Sequence, residues 1–142
     1  MRILAIDYGE KRLGLAISDE LAMMVRPLVT LLRVPKEKCF AQIKNYVEEL
    51  EVSKIVIGLP LRLDGTKGDA ALKVEKFISE LSLLISCPII TWNEQLTSHE
   101  AEERMKQRGL NKTQRQAQID QFAALIILED YLSNNSLNTS LD

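Results

Sequence analysis

Over the first third of the chain apolar residues alternate or sit in short blocks, and after Lys36 they switch to a helical period. Arg2–Ile6 is a compact apolar run ending in Asp7-Tyr8-Gly9, which reads as a strand entering a turn. Arg12–Ser18 follows with Leu13, Leu15 and Ile17 at every second position, the period of a half-buried strand. Asp19-Glu20 supplies a second turn, and Val25–Val34 a third extended stretch. Pro27 lacks a backbone N–H, so it predicts that this third strand lies at a sheet edge. Three such strands with short connections make an antiparallel meander.

From Lys36 to Leu50, Phe40, Ile43, Val47 and Leu50 fall on one helical face. Lys54–Ile57 is a β-branched strand closed by Gly58-Leu59-Pro60, and the loop Arg62–Gly68 follows it. Val74, Phe77, Ile78, Leu81, Leu84 and Ile85 then mark a second amphipathic helix, and Pro88–Trp92 a fifth strand. Thr97 with Glu100 three residues on is a capping box that opens a third helix, which Gly109 ends. A last helix spans about Asp120–Leu132, with Phe122, Ala123, Ile126, Ile127 and Tyr131 inward. The order βββαβαβαα predicts an α/β fold with a mixed five-stranded sheet, a three-strand antiparallel meander plus two parallel strands, flanked by helices. It is expected to form one domain over residues 1–132, with a polar, flexible tail over 133–142.

Composition agrees with a single folded unit: 142 residues, 46% apolar and 27% charged, lie in the ordinary globular range. Apolar runs such as Leu125–Leu128 fall far short of the ~20 residues that cross a bilayer. The first apolar run stops at Asp7, before a secretion signal is complete. Cys39 and Cys87 stand apart from each other and from His99, the only histidine, which argues against a zinc site or disulfide framework. Both read as small apolar residues in a reducing, cytoplasmic setting. The net charge of −2 makes no global case for nucleic acid, so any such contact must come from local clusters.

Three carboxylates stand out by position. Asp7 ends the first strand, Glu94 follows the fifth, and Asp120 opens the last helix. Singly, they read as a turn-former, an exposed loop acid and a helix N-cap. Asp120, however, shares its helical face with Ala123 and Ile127, and an inward carboxylate is costly unless paired or metal-bound. If the first and fifth strands run parallel, Asp7 and Glu94 meet at their carboxyl ends, where α/β sheets gather their sites. Oxygen ligands without histidine or cysteine select Mg²⁺ or Mn²⁺. Two such ions roughly 3.5–4 Å apart activate a water and stabilise the leaving oxygen of a phosphodiester.

Arg104, Lys106, Arg108, Lys112 and Arg115 form a basic run without an acid between residues 104 and 119. It suits sequence-independent phosphate contacts, although a solvated helix face is the equal alternative. No aromatic interleaves it, so it offers no base-stacking platform. The glycine-spaced loop Leu63–Gly68 could close over a phosphate with its backbone N–H groups and Lys67, or could be a plain connection. Lys11 and Arg12, in the expected first turn, could brace the acids, touch phosphate or simply be solvated.

Taken in order, these residues resemble the YqgF-type, or RuvX-type, nucleases. The likeness runs through Asp7-Tyr8-Gly9, Arg12, Gly14, Ala16, Ser18-Asp19, Gly58-Leu59-Pro60, Asp64-Gly65-Thr66 and Gly68. It continues through Glu94, Leu96-Thr97, Ala101, Asp120, Ala123-Ala124, Ile126-Ile127-Leu128 and Tyr131-Leu132. The resemblance implies a ribonuclease H-like fold and a Holliday junction resolvase-like nuclease acting in maturation of the small-subunit ribosomal RNA precursor. By position it implies Asp7, Glu94 and Asp120 as the family's catalytic metal ligands; the residues themselves supply the expectation of Mg²⁺ or Mn²⁺, two ions, and of Arg12, Lys67, Lys112 and Arg115 as nucleic-acid contacts. The expected partner is structured precursor RNA, or branched DNA, for a monomer or weak homodimer with no membrane association. The chain departs from the family pattern at Asn93 and Gln95, which flank Glu94, and at Gln118, where a lysine is common. Asn93 and Gln95 keep in view a non-catalytic module that binds RNA or a ribosome-assembly protein. The spacing of Asp7-x-Gly9 with Gly14 and Asp19 also resembles the phosphate loop of sugar kinases and actin-like ATPases, which bind nucleotide between two such lobes, where this chain supplies one.

Overall fold

In the computed structural model, which describes residues 1–93, 109 and 122–134, the meander forms as the alternation predicts. β1 (Arg2–Tyr8) pairs antiparallel with β2 (Arg12–Ser18), and β2 with β3 (Val25–Leu32). α1 (Lys36–Glu49), β4 (Val52–Leu59), α2 (Asp69–Ser82) and β5 (Ile89–Asn93) follow. The sheet has five strands in the order β3-β2-β1-β4-β5, with β4 parallel to β1 and β5 parallel to β4. β3 is an edge strand, and its register slips by one residue where Pro27 faces Ala16. A bulge on an edge tolerates the missing N–H.

Two boundaries differ from the periodic reading. α2 stops at Ser82, so Leu84 and Ile85 lie beyond it, and Leu84 is exposed. There the N–H groups of Leu83 and Leu84 donate to the carbonyls of Glu80 and Leu81, tightening the chain into a turn. The final helix covers the described residues 122–134, two residues past the Leu132 at which its apolar period suggests an end. The helix expected after Thr97 lies outside the described residues. Gly109, its expected stop, has a φ of +80°, the left-handed conformation that suits a helix-ending glycine.

Alternation along the strands makes two cores. Leu4, Ile6, Leu13, Leu15, Ile55 and Ile57 face α1 and α2. Ile3, Ala5, Ala16 and Val56 face the C-terminal helix through Ala124, Ile127, Leu128 and Tyr131. Small residues on both sides of this second core let the helix lie close to the sheet. Its far end is fastened by Tyr131, whose hydroxyl accepts a hydrogen bond from Lys54 Nζ at 2.8 Å and whose ring meets Trp92 edge-on at 5.7 Å. Among the described residues no helix is long and apolar enough to cross a membrane.

Candidate active site

Because β1, β4 and β5 are parallel, their carboxyl ends at Tyr8, Leu59 and Asn93 lie along one border of the sheet. Asp7 is the penultimate residue of β1 and is half-buried. By alternation it shares the face of Ile3 and Ala5, the face covered by the C-terminal helix. Its neighbours across the sheet are unusual. On β2 it pairs with Gly14, and on β4 the residue one step past the Ile6–Ile57 pair is Gly58. Two glycines therefore flank Asp7, so no side chain from either neighbouring strand crowds it on that face. Gly58 in turn pairs with Trp92 on β5, and strands spaced about 4.8 Å apart put Trp92 roughly 10 Å from Asp7. On this face of the sheet a glycine position (hereafter the trough) thus separates a carboxylate on β1 from the end of β5.

The turn after Asp7 is held in place. Gly9 N–H donates to the Arg12 carbonyl at 3.0 Å, and Arg33 N–H to the Lys11 carbonyl at 3.0 Å. Arg33 Nη1 also donates to the carbonyls of Gly9, at 3.1 Å, and Glu10. The same guanidinium lies over the ring of Tyr8, which packs on the opposite face from Asp7, 5.1 Å from the ring of Phe77. Asp7 thus sits between a packed strand and a braced turn.

Of the residues singled out in the sequence, Arg12 is the exposed first residue of β2 rather than part of the turn. Two positions from Gly14, it shares the face of Asp7 by alternation. Lys67 is exposed and ion-paired with Glu75 of α2 at 2.7 Å. The loop around it is closed on itself: Gly65 N–H donates to the Arg62 carbonyl at 2.8 Å, and Arg62 N–H to the Thr66 carbonyl at 2.9 Å. Asp64 Oδ1 accepts the Thr66 N–H at 2.9 Å and its hydroxyl at 2.6 Å, which holds the Asp64 carboxyl below its ordinary range. The Gly65 and Thr66 N–H groups are therefore already engaged, and Gly65 takes a φ of +85° to make this turn. Asp19 likewise caps its own turn through the N–H groups of Met23 and Met24, which lower its pKa. Burial raises the Cys39 and Cys87 thiols, in keeping with inert apolar residues. Glu94, Asp120, Lys112 and Arg115 lie outside the described residues. Among the described residues no three histidine, cysteine or carboxylate side chains gather as a metal site.

The glycine trough and Arg33 were not singled out in the sequence. Gly14 inside an alternating strand was the available sign, since a strand glycine marks a close approach. Arg33 carried a weaker one, a cation close behind the apolar pair Leu31-Leu32.

A family model described as "RuvX: Holliday junction resolvase" matches residues 1–134. A "Putative pre-16S rRNA nuclease" of Chloroflexus aurantiacus is 46% identical over 136 residues, 96% of this chain and 89% of the relative. One from Syntrophus aciditrophicus is 43% identical over 132 residues, 93% of this chain and 88% of the relative. Among solved structures, Thermus thermophilus RuvC in complex with a Holliday junction substrate superposes with a TM-score of 0.63 at 16% identity, covering 96% of each chain. The fowlpox virus Holliday junction resolvase gives a TM-score of 0.55 at 16% identity, covering 94% of this chain and 99% of that one. At such identities the likeness concerns the fold, which is the ribonuclease H-like mixed sheet with helices on its faces.

Proposed function

The chain belongs to the RuvX family, and from that premise we propose that it is a metal-dependent endonuclease that cleaves the precursor of 16S ribosomal RNA in the cytoplasm. The observation that carries this reading is the placement of Asp7, a carboxylate flanked by glycines at the border where three parallel strands end. Such a group offers hard oxygen donors, the chemistry that Mg²⁺ or Mn²⁺ requires, and its strand neighbours Gly14 and Gly58 place no side chain beside it. Glu94 and Asp120 complete the proposed set. Glu94 stands two residues after Trp92, the spacing at which strand residues share a face. Asp120 stands four residues before Ala124 and seven before Ile127, both of which pack on the face of Asp7. When bound, one or two divalent ions lower the pKa of the attacking water and offset charge on the leaving oxygen. The three acids hold and space the ions, while Arg12, Lys112 and Arg115 draw the phosphate chain towards the trough. Lys67 joins them by exchanging Glu75 for a phosphate.

The description of the family favours a second reading, a nuclease for branched DNA. A resolvase cuts two strands and so would act as two copies, which sizing with and without substrate would reveal. The test is incubation with an RNA spanning the 5′ boundary of 16S rRNA and with a four-way DNA junction, each with Mg²⁺ or EDTA. RNA cleavage only with Mg²⁺ supports the proposal, and cleavage of the junction alone supports the second reading. Tight binding of RNA without turnover of either substrate overturns both in favour of a non-catalytic module.

A further inference from the structure

On the face of the sheet opposite Asp7, α1, α2 and the end of β1 enclose a cleft of about 370 Å³, the size of a small-ligand site. Tyr8 and Phe77 line its apolar side, and Arg33, Lys36, Lys73 and Lys76 line its rim. Its single acid, Glu80, is ion-paired with Lys36 at 2.8 Å. Glu80 also lies within electrostatic reach of Lys76, four residues before it on α2, so one carboxylate stands against the four cations of the lining. Lys73 and Lys76 are three residues apart, and so neighbours on one side of α2. The guanidinium of Arg33 covers the ring of Tyr8 at 4.4 Å, so the side of the guanidinium turned away from that ring is the planar surface on which a base would stack.

Aromatic rings beside an excess of cations match one ligand chemistry, a planar base carrying phosphate. We propose that this cleft binds a nucleoside phosphate, either a nucleotide within a single-stranded nucleic acid or a free nucleotide. The nuclease reading bears only on where that ligand comes from. Tyr8 directly follows Asp7, so a strand leaving the trough over the end of β1 arrives at the cleft. The basic run between residues 104 and 119 has no aromatic partner; here the fold itself joins rings and cations from three distant segments.

The test uses the full chain in EDTA, so that binding is read without cleavage. Fluorescence anisotropy would follow a fluorescein-labelled single-stranded hexaribonucleotide, with AMP as competitor. The Lys73→Glu/Lys76→Glu variant should bind at least about tenfold more weakly and show a shallower salt dependence. The milder Lys73→Gln/Lys76→Gln variant should show the same trend, and both should keep the parent melting temperature because the two lysines are exposed. Displacement by AMP would identify a free-nucleotide site, and resistance to AMP a site for a strand. Unchanged binding in both variants would overturn the proposal. So would an equal loss in Lys44→Glu, an exposed lysine of α1 outside the cleft. Failure of RNA cleavage with Mg²⁺ would bear on the nuclease reading alone.

Discussion

The guanidinium of Arg33 lies 4.4 Å over the ring of Tyr8, the residue that follows Asp7, while its Nη1 donates to the carbonyls of Gly9 and Glu10. One side chain from the end of β3 therefore fixes both the last residue of β1 and the turn beyond it. Charged hydrogen bonds of this kind contribute about 1.5–3 kcal/mol. Arg33→Ala should lose stability of that order in urea melts. Because small misplacements of a reacting group cost up to about 100-fold, RNA cleavage should fall by more than the unfolded fraction explains. Arg33→Lys keeps the charge but not the flat stack or fork, and should recover only part of both losses.

Gly14 stands opposite Asp7 across the β1–β2 pair. Opposed side chains on a sheet lie about 4.5–5.5 Å apart at Cβ, so a branched side chain at Gly14 would enter the trough. Gly14→Val should cut the cleavage rate by about 100-fold or more. Binding of the hexaribonucleotide in the cleft on the opposite face of the sheet should stay within about twofold of the parent, which would separate filling beside Asp7 from loss of fold.

Tyr131 and Lys54 tie the C-terminal helix to the sheet through a hydrogen bond of 2.8 Å. Tyr131→Phe leaves a half-buried ammonium without that acceptor and should cost about 1.5–3 kcal/mol. The double variant Lys54→Met/Tyr131→Phe removes both polar partners and should be less destabilised than the sum of the singles. Thermal or urea melts of the four proteins give the coupling directly.

The Lys36–Glu80 pair should give a defined pH signature. The hydrogen bond with Lys36 lowers Glu80 below its ordinary 4.5, so this contribution is present above about 4.5 and is lost as pH falls through the folded value. The same bond with Glu80 raises Lys36 above 10.5, so its contribution is full below 10.5 and is lost as pH rises through the folded value. The melting-temperature gap between the parent and Glu80→Gln should be flat between these limits and shrink beyond either one. Lys36 is exposed and Glu80 only partly buried, so the gap should be small and should narrow further with salt.

The meander, α1 and the parallel strands were legible because their apolar periods are clean and Pro27 marks the edge. The second helix was read too long, since Leu84 and Ile85 continue a helical period after the backbone has turned. Asp7 was legible as the acid ending the first strand. Its glycine flanks were not, because the β1–β4 register that brings Gly58 alongside depends on a crossover of many residues. Arg33 was missed for a similar reason: its partners are backbone carbonyls more than twenty residues away, which no local pattern encodes.

Asp7→Asn bears most directly on the nuclease reading, because it keeps the size of the side chain and removes the charge that would hold a divalent ion. Cleavage of the 16S precursor RNA should be measured with Mg²⁺ for the parent and the variant, at matched melting temperature in EDTA. A fall of at least about 1000-fold, which no increase in Mg²⁺ restores, is the result expected of a lost metal ligand. Equal cleavage by a well-folded Asp7→Asn protein would contradict the central role given to this residue.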